Sequence, residues 1–176
     1  MHALLNDGKF HAAADHLAQA LSKSGNNRMP VYRYLYTRTS NAFPLNHFGA
    51  GHAMELPYLF PNKLLMSMIS YNPFKPHTYF SAYKDNMRFS DTMIARWTNF
   101  VSFGTPNNPS EQGQSLHWPE SRSGKLIVLS NQGEVVSSKA QFDAKFVYPK
   151  EARAFWKLVY PTKAPRGVAC PKAQAI

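Results

Sequence analysis

Cysteine, acidic residues and long apolar segments are all scarce in this sequence. The one cysteine among its 176 residues, Cys170, excludes an internal disulfide. No apolar run approaches the about 20 residues that cross a bilayer, so we expect no membrane span. The first residues, MHALLNDGKF, lack the charged start and the long apolar core of a secretory signal. The sequence alone therefore leaves the cellular compartment unknown.

The shortage of acidic residues makes the chain strongly basic. Ten Asp and Glu stand against 20 Lys and Arg, and the net charge of +10 raises nucleic acid or an anionic surface as a partner. The charge is spread along the chain, without a run of several Lys or Arg and without a nucleic-acid-binding motif. We therefore predict a solvated basic surface and no nucleic-acid partner.

Complete signatures of several enzyme classes are missing as well. No G-x-S-x-G nucleophile turn is present. Gly49 and Gly51 begin a dinucleotide fingerprint, but Met54 occupies the position of its third glycine. With one cysteine, a zinc site would need histidines and acids, and His47 and His52 lack the i, i+4 spacing of paired helical ligands. We predict neither a metal nor a cofactor.

The N-terminal part of the chain predicts a helix and a strand. Residues 10–22 have the helical period, and VYRYLYT, residues 31–37, is a β-branched and aromatic strand. The apolar stripe of the helix would consist of Phe10, Ala14, Leu17, Ala18 and Leu21. The strand would place Tyr32, Tyr34 and Tyr36 on one face. A lone strand has no ladder partner for its backbone groups, which indicates part of a larger sheet.

The middle of the chain predicts a loop, a helical turn and a long helix. A loop over residues 38–53 precedes a short turn over 54–60, and the prolines of residues 61–88 predict an irregular surface segment. The clearest helix has Ser90 as its N-cap and Gly104 as its end. Its buried stripe would consist of Met93, Ile94, Trp97, Phe100 and Val101.

The C-terminal part predicts short strands and a last helix. HWPES and KLIVLS are strand candidates, and the second ends in the turn NQGE. The last helix would begin near Pro149, and its inward residues would be Phe155, Trp156 and Val159. With 44% apolar residues and no internal repeat, we expect one structural unit with a real core.

One histidine lies where catalytic groups are commonly found. His52 ends the loop that follows the predicted strand, and such a loop can expose the ring while a rigid sheet holds the loop. A general base fits this location, and so does an ordinary turn or surface histidine. The residues by themselves leave these two alternatives open.

Two segments resemble the last core strand and the catalytic-histidine loop of the type-B carboxylesterases, which include the cholinesterases. VYRYLYTRTSN is similar to a strand of the kind V-Y-x-Y-x-F, and GAGHAMELPYLF is similar to G-x-x-H-G-x-E-x-x-[FY]-x-F. The matched positions of the loop are Gly49, His52, Glu55, Tyr58 and Phe60. Ala53 stands where the pattern has a glycine, a mild change that slightly tightens the loop.

Three further blocks resemble the same family in the same order. FSDTMIARWTNFVSFGTPNNP is similar to L-S-x-x-M-x-x-W-x-x-F-A-x-x-G-x-P-N. WPES with KLIVLS resembles a W-P segment and the strand after it, and ARAFWKLVYP resembles the closing helix. We therefore expect residues 1–161 to be the C-terminal segment of a type-B carboxylesterase domain, with a disordered tail at 162–176.

The resemblance implies the α/β class and, within it, the C-terminal portion of an α/β-hydrolase fold, which would be an incomplete domain. It implies that His52 is the histidine of a Ser-His-Glu/Asp triad, which accepts a proton from a serine that attacks an ester carbonyl. Gly49, Gly51 and Glu55 would support the histidine loop. Glu55 would be a buried hydrogen-bonding residue rather than the triad acid.

The order of the triad along the chain leaves this histidine without partners. In such enzymes the order is serine, acid, histidine, and only 51 residues precede His52. We therefore expect a C-terminal fragment that is inactive alone and has a polypeptide with the N-terminal residues as its partner. The substrate would be a small-molecule or lipid carboxylic ester. Full-length relatives are often secreted or lumenal, which leaves the localisation of this chain unknown.

Two other functions are compatible with the sequence. A non-catalytic cholinesterase-like adhesion or scaffold module would need no serine, although it would have no reason to keep the His52 loop. An independent basic binding domain, with an accidental resemblance, would bind nucleic acid in a salt-sensitive way. Whether the chain belongs to an active enzyme is open at this stage.

Overall fold

The computed structural model describes residues 10–23, 30–42, 49–108, 116–138, 154–155 and 158. The chain divides into two units, which are Met1–Gln19 with Ala140–Ile176, and Ala20–Lys139. The predicted tail at 162–176 lies outside the described residues. Among the described helices, none has the length and apolarity of a bilayer span.

Helix α1, Ala12–Lys23, confirms the first predicted helix but buries a different face. Its buried residues are Ala12, Asp15 and Ala18, whereas Leu17 is 59% exposed. Of the predicted apolar stripe, only Ala18 is buried. The face that a helix buries depends on what it packs against, and the helical period alone does not contain that information.

The sheet has three strands in the order β1-β2-β3. They are β1, Tyr34–Tyr36, β2, Lys125–Ser130, and β3, Gly133–Ser138. Strand β1 lies parallel to β2, with Tyr34 opposite Ile127. The expectation of a strand without a ladder partner is therefore wrong. The partner strand is more than ninety residues away in sequence, since Thr37 and Leu129 are 92 positions apart.

Strand β3 returns antiparallel to β2 after the predicted turn. Gly133 has φ +90°, a conformation that favours glycine, and the turn NQGE is thereby confirmed. The predicted strand HWPES is wrong: its one strand-like contact is an isolated bridge between Tyr32 and Glu120. A 3₁₀ helix at Ser121–Ser123 follows directly, which keeps this segment from extending alongside the sheet.

Two short helices follow the histidine loop. Helix α2, Leu56–Leu59, confirms the predicted helical turn, and its proline lies in the first turn. Helix α3, Lys63–Ser70, contradicts the predicted irregular segment, and the side chain of Asn62 caps it by accepting a hydrogen bond from Leu65 N at 2.8 Å. The prolines of this segment stand outside the helix interiors, where they end one element without breaking the next.

Helix α4, Tyr79–Phe103, is longer than predicted and ends as predicted. Gly104 adopts φ +70° and its N–H donates to the carbonyl of Phe100 at 2.9 Å, which is a glycine helix end. Ser90 is not an N-cap. It lies fully buried inside the helix, and its hydroxyl donates to the carbonyl of Tyr58 at 2.6 Å.

The buried stripe of α4 also differs from the predicted one. Val101 is 85% exposed and Phe100 is 48% exposed, whereas Met93 is fully buried. The buried residues of the helix are Asn86, Phe89, Ser90, Met93 and Arg96. Because three of these five are polar, a search for apolar residues alone turns the predicted stripe toward the wrong side of the helix.

The hydrophobic core lies within the unit Ala20–Lys139 and joins β2 to α2, α3 and α4. Its buried residues are Tyr58, Met66, Ile69, Phe89, Met93, Trp118, Ile127 and Leu129. Four consecutive residues of β2, from Leu126 to Leu129, are buried, as in a strand covered on both faces. The described residues thus form a mixed α/β arrangement with a small sheet, and the α/β class is confirmed. The incompleteness of the domain stays a prediction.

Only part of the last predicted helix is described. Ala154, Phe155 and Leu158 are helical, which agrees with the prediction. Phe155 is 50% exposed, so it does not face inward as expected. Trp156 and Val159 lie outside the described residues, as does the predicted start at Pro149.

The side chain of Asn107 joins the turn after α4 to the segment before β2 through hydrogen bonds. Its side-chain oxygen accepts from Trp118 N at 2.7 Å, and its side-chain nitrogen donates to the carbonyl of Trp118 at 3.0 Å. Nearby, the buried guanidinium of Arg96 donates to both carboxylate oxygens of Glu134, at 2.9 and 2.7 Å. These bonds hold the end of the helix, the Trp118 segment and the β2–β3 hairpin together.

We predict that Asn107→Ala destabilises the chain by about 1–3 kcal/mol, because it leaves the partly buried N–H and C=O of Trp118 without their partner. Urea unfolding measures this loss. The matched control is Asn131→Ala, whose side chain also bonds Thr39 twice, but in an exposed position. We expect this control to lie within about 0.5 kcal/mol of the parent chain. Equal losses in the two variants would contradict the interpretation.

Candidate active site

His52 lies exposed in a turn between β1 and α2. The ladder continues one residue beyond β1, where Thr37 N donates to the carbonyl of Leu129 at 2.8 Å. The chain leaves the sheet at the carboxyl ends of two parallel strands, the end at which α/β proteins place their binding and catalytic loops. The fold thus puts His52 in a location that suits a catalytic side chain.

The turn brings together the four residues predicted for the site. Gly49 has φ +71°, which requires glycine-like freedom, whereas a Cβ added at Gly51 would meet only Met54 Cγ at an ordinary 3.5 Å. The N–H of Met54 donates to the carbonyl of Gly51 at 3.3 Å and closes the turn around His52. Gly49 and Gly51 therefore serve different purposes, and their role in supporting a catalytic histidine stays a prediction.

Ala53 adopts the left-handed conformation, with φ +62°. Among the described residues it is the one non-glycine residue with a positive φ. The resemblance has a glycine at this position, and the backbone supplies the reason, since a Cβ in this conformation costs about 1 kcal/mol or more. The substitution is thus a source of local strain directly beside His52, and not simply a tighter loop.

Glu55 closes the turn and starts helix α2. It is half-buried, and its carbonyl accepts hydrogen bonds from Tyr58 N at 3.0 Å and from Leu59 N at 3.3 Å. Its carboxylate lies near two tyrosines of β1: burial raises the pKa of Tyr34, and the Glu55 charge raises it further. Glu55 is thus less buried than expected, and its role as a hydrogen-bonding residue rather than a triad acid stays a prediction.

Tyr36 connects the strand directly to the turn. Its hydroxyl donates to the carbonyl of Met54 at 3.2 Å, two residues after His52. Burial raises the pKa of Tyr36, and the neighbouring phenol of Tyr58 raises it further. The phenol therefore stays protonated at neutral pH and can act as a hydrogen-bond donor to the turn.

Behind the turn lies a buried polar cluster that the sequence analysis did not predict. Its centre is Asn86, whose side-chain oxygen accepts from Tyr58 Oη at 3.1 Å and from Arg38 at 2.8 Å. The side-chain nitrogen of Asn86 donates to Ser70 Oγ at 2.9 Å, and Ser70 donates to the carbonyl of Met66 at 2.6 Å. The cluster joins the end of β1 to α2, α3 and α4. Its only signal in the sequence is the row of polar residues along one face of α4.

Arg38 is the charged member of this cluster. It is 4% exposed, donates to Asp85 at 2.6 Å, and its guanidinium lies 4.5 Å from the centre of the Phe89 ring. Burial acts to lower the pKa of Arg38, but the contacts with Asp85 and Tyr58 outweigh burial and raise it. The result is a fixed positive charge packed against aromatic rings beneath the histidine turn.

The described residues include no group of three or more His, Cys, Asp or Glu placed to hold a metal. His47, the other histidine considered in the sequence, lies outside the described part of the chain. What the arrangement offers chemically is an exposed imidazole on a turn that β1 and α2 hold from two sides. An imidazole of this kind can accept and return a proton when a nucleophile and an orienting acid are present.

One comparison with known proteins bears on this arrangement. A family model described as the carboxylesterase family matches residues 1–156. The match includes β1, the His52 turn, α2 to α4 and the β2–β3 hairpin, and it confirms the family that the sequence motifs resemble.

We predict that Asn86→Ala costs about 2–4 kcal/mol of unfolding free energy, because it removes one buried hydrogen bond from each of Arg38, Tyr58 and Ser70. Thermal or urea unfolding measures the loss. The control on the same helix is Thr92→Ala, whose hydroxyl makes an exposed bond to the carbonyl of Arg88. This control should change stability by less than about 0.5 kcal/mol. A small effect at Asn86 would show that the cluster contributes little.

We also predict a loss of stability at high pH that depends on Tyr36. Because its pKa is higher in the folded chain than the ordinary value of 10.0, the unfolded chain releases this proton first. The contribution is complete below pH 10 and falls by up to about 1.4 kcal/mol for each pH unit above it. Urea midpoints from pH 8 to 11 should therefore decline less in Tyr36→Phe than in the parent chain, and parallel curves would refute the prediction.

Proposed function

Since this chain belongs to the carboxylesterase family, we propose that His52 is the histidine of an ester-hydrolysing triad. In this proposal the chain supplies the C-terminal part of an α/β-hydrolase domain. The nucleophilic serine, the triad acid and the oxyanion hole come from residues outside this sequence. The chain alone would hydrolyse no ester.

The observation that carries the proposal is the setting of His52. The residue is exposed in the turn that follows β1, a strand paired in parallel with β2, and the Tyr36 hydroxyl joins this turn to the strand. A surface histidine in an ordinary loop needs neither a bond from the sheet nor a backbone residue in the left-handed region. A catalytic histidine needs a fixed position, since a small displacement of the base lowers the rate strongly.

The chemistry assigned to His52 is proton transfer. Its imidazole accepts the proton of the serine hydroxyl as the serine oxygen attacks the ester carbonyl carbon. The alkoxide leaving group then receives this proton, and an acyl-enzyme is formed. The same imidazole next accepts a proton from water, whose oxygen attacks the acyl carbon, and returns that proton to serine. The substrate class is therefore a carboxylic ester.

Glu55, Gly49 and Gly51 are proposed to shape the turn rather than to take part in proton transfer. Gly49 contributes its left-handed backbone, and the carbonyl of Glu55 starts helix α2. The charge of the Glu55 carboxylate raises the pKa of both Tyr34 and Tyr36. The carboxylate therefore lies on the side of the turn that faces β1. This placement supports a structural role for the carboxylate.

The proposal is tested with a fusion protein. The chain, from Pro30 onward, replaces the matching C-terminal part of an active carboxylesterase that retains its own serine and acid. We expect the fusion to hydrolyse p-nitrophenyl acetate, and we expect His52→Gln to lower kcat by about 10²–10⁴. The isolated 176-residue chain should show no turnover that depends on His52.

The matched control is His77→Gln, since His77 is also an exposed histidine of the same unit. It should leave the turnover of the fusion unchanged. Equal turnover in the parent fusion and in the folded His52→Gln variant would reject the triad assignment. A correctly folded fusion without any turnover would instead favour the non-catalytic scaffold module.

A further inference from the structure

We propose that Tyr36 is a positioning residue for His52. The hydroxyl of Tyr36 holds the turn in the conformation in which Ala53 is strained. The inference rests on the proposed role of His52 for its functional meaning. Its physical content, a coupling between Tyr36 and Ala53 that fixes the histidine, is measured without any ester substrate.

The position of Tyr36 is itself well fixed. Its backbone belongs to β1, where Tyr36 lies opposite Leu129 of the buried strand β2. Its ring packs against Tyr58 and Phe89, with ring centres 6.4 Å away in both cases. The hydroxyl thus extends from a rigid part of the core to the Met54 carbonyl at 3.2 Å.

The turn needs such a restraint because of Ala53. Its φ of +62° places an alanine in the region that favours glycine, and it lies between His52 and the carbonyl that Tyr36 holds. Release of the Met54 carbonyl would let Ala53 relax toward an ordinary conformation and carry His52 with it. A hydrogen bond of normal strength and the strain of one left-handed alanine are of the same order, so one can offset the other.

The other end of the turn is restrained by bonds of α2, whose Tyr58 also contacts the Tyr36 ring. Tyr58 of α2 donates to Asn86, and the carbonyl of Tyr58 accepts from the buried Ser90 hydroxyl at 2.6 Å. With α2 fixed in this way, the remaining freedom lies between Gly49 and Glu55. A change in the backbone of these residues would therefore move His52.

The experiment is an NMR comparison of the 176-residue chain with Tyr36→Phe. Amide exchange at Met54 and Leu56 reports the turn, because their N–H groups donate to Gly51 and Ala53 within it. We expect about fivefold faster exchange at both amides in the variant, and broadened His52 ring signals. Unchanged exchange and unchanged His52 signals would overturn the proposal.

The matched control is Tyr32→Phe. Tyr32 precedes β1, and its hydroxyl makes a bond of the same length, 3.2 Å, to Thr105 Oγ1, away from the histidine turn. This variant also removes a phenol and a hydrogen bond, but it should leave the His52 signals and the two amides unchanged. If Tyr32→Phe disturbs His52 as much as Tyr36→Phe does, the effect is a general loss of packing and the proposal fails.

The rescue variant separates positioning from simple stabilisation. In an Ala53→Gly chain the residue at position 53 adopts the left-handed conformation without strain. The hydrogen bond of Tyr36 then has less strain to offset. Tyr36→Phe should then accelerate exchange by less than about twofold in this background, against about fivefold in the parent. The same acceleration in both backgrounds would refute the coupling between Tyr36 and Ala53.

A further measurement covers the case in which Tyr36→Phe does not fold. In the unmodified chain, in half-deuterated water, the ¹³Cζ signal of Tyr36 should split into two lines, as it does for a hydroxyl proton that exchanges slowly. A single averaged line would show a freely exchanging hydroxyl and overturn the proposal. Since none of these measurements involves ester turnover, positioning can fail while the triad assignment stands, or the reverse.

Discussion

The parallel pairing of β1 with β2 is the contact on which the described unit depends. It joins positions 92 residues apart, Thr37 and Leu129, and so closes a long loop that contains α2, α3 and α4. The cost in chain entropy is met by the burial of four consecutive β2 residues and by the helices that cover them. The pair holds β1 where its aromatic side chains meet the helices, as the ring of Tyr36 does against Tyr58 and Phe89.

The helix ends, the helical turn and the strand that depend on neighbouring residues could be predicted from the sequence. Gly104 ends α4 because a left-handed residue is needed there, and the helical turn after His52 accepts Pro57 because its nitrogen needs no hydrogen bond in a first turn. The strand Lys125–Ser130 was likewise visible as an apolar run before a turn. Its pairing with Tyr34–Tyr36 was not, since the two strands carry no sequence signal that identifies each other.

The polar interior explains the larger errors. Ser90 is a residue type that is favoured at N-caps, but its hydroxyl donates a hydrogen bond to the carbonyl of Tyr58, which lies 32 positions away. Asn86 and Arg38 sit among aromatic rings because each finds partners on other elements, a condition that the residues of one helix cannot reveal. For the candidate site, the motif predicts His52, Glu55 and the two glycines, whereas the bond of the Tyr36 hydroxyl and the conformation of Ala53 are visible only in the structure.

The arrangement around His52 separates two tasks of an active site. Holding a base in place requires only a rigid strand, a restrained turn and a fixed helix, and β1, the Tyr36 bond and α2 provide these within one unit. Performing acyl transfer also requires a nucleophile and an acid at hydrogen-bond distance from the imidazole. The strain at Ala53 matters for the first task alone, since a relaxed turn would move the ring without changing its capacity to bind a proton. The bonds described at this turn act on the Met54 carbonyl and on α2, while His52 itself is exposed, which is the pattern that we propose for a positioned base.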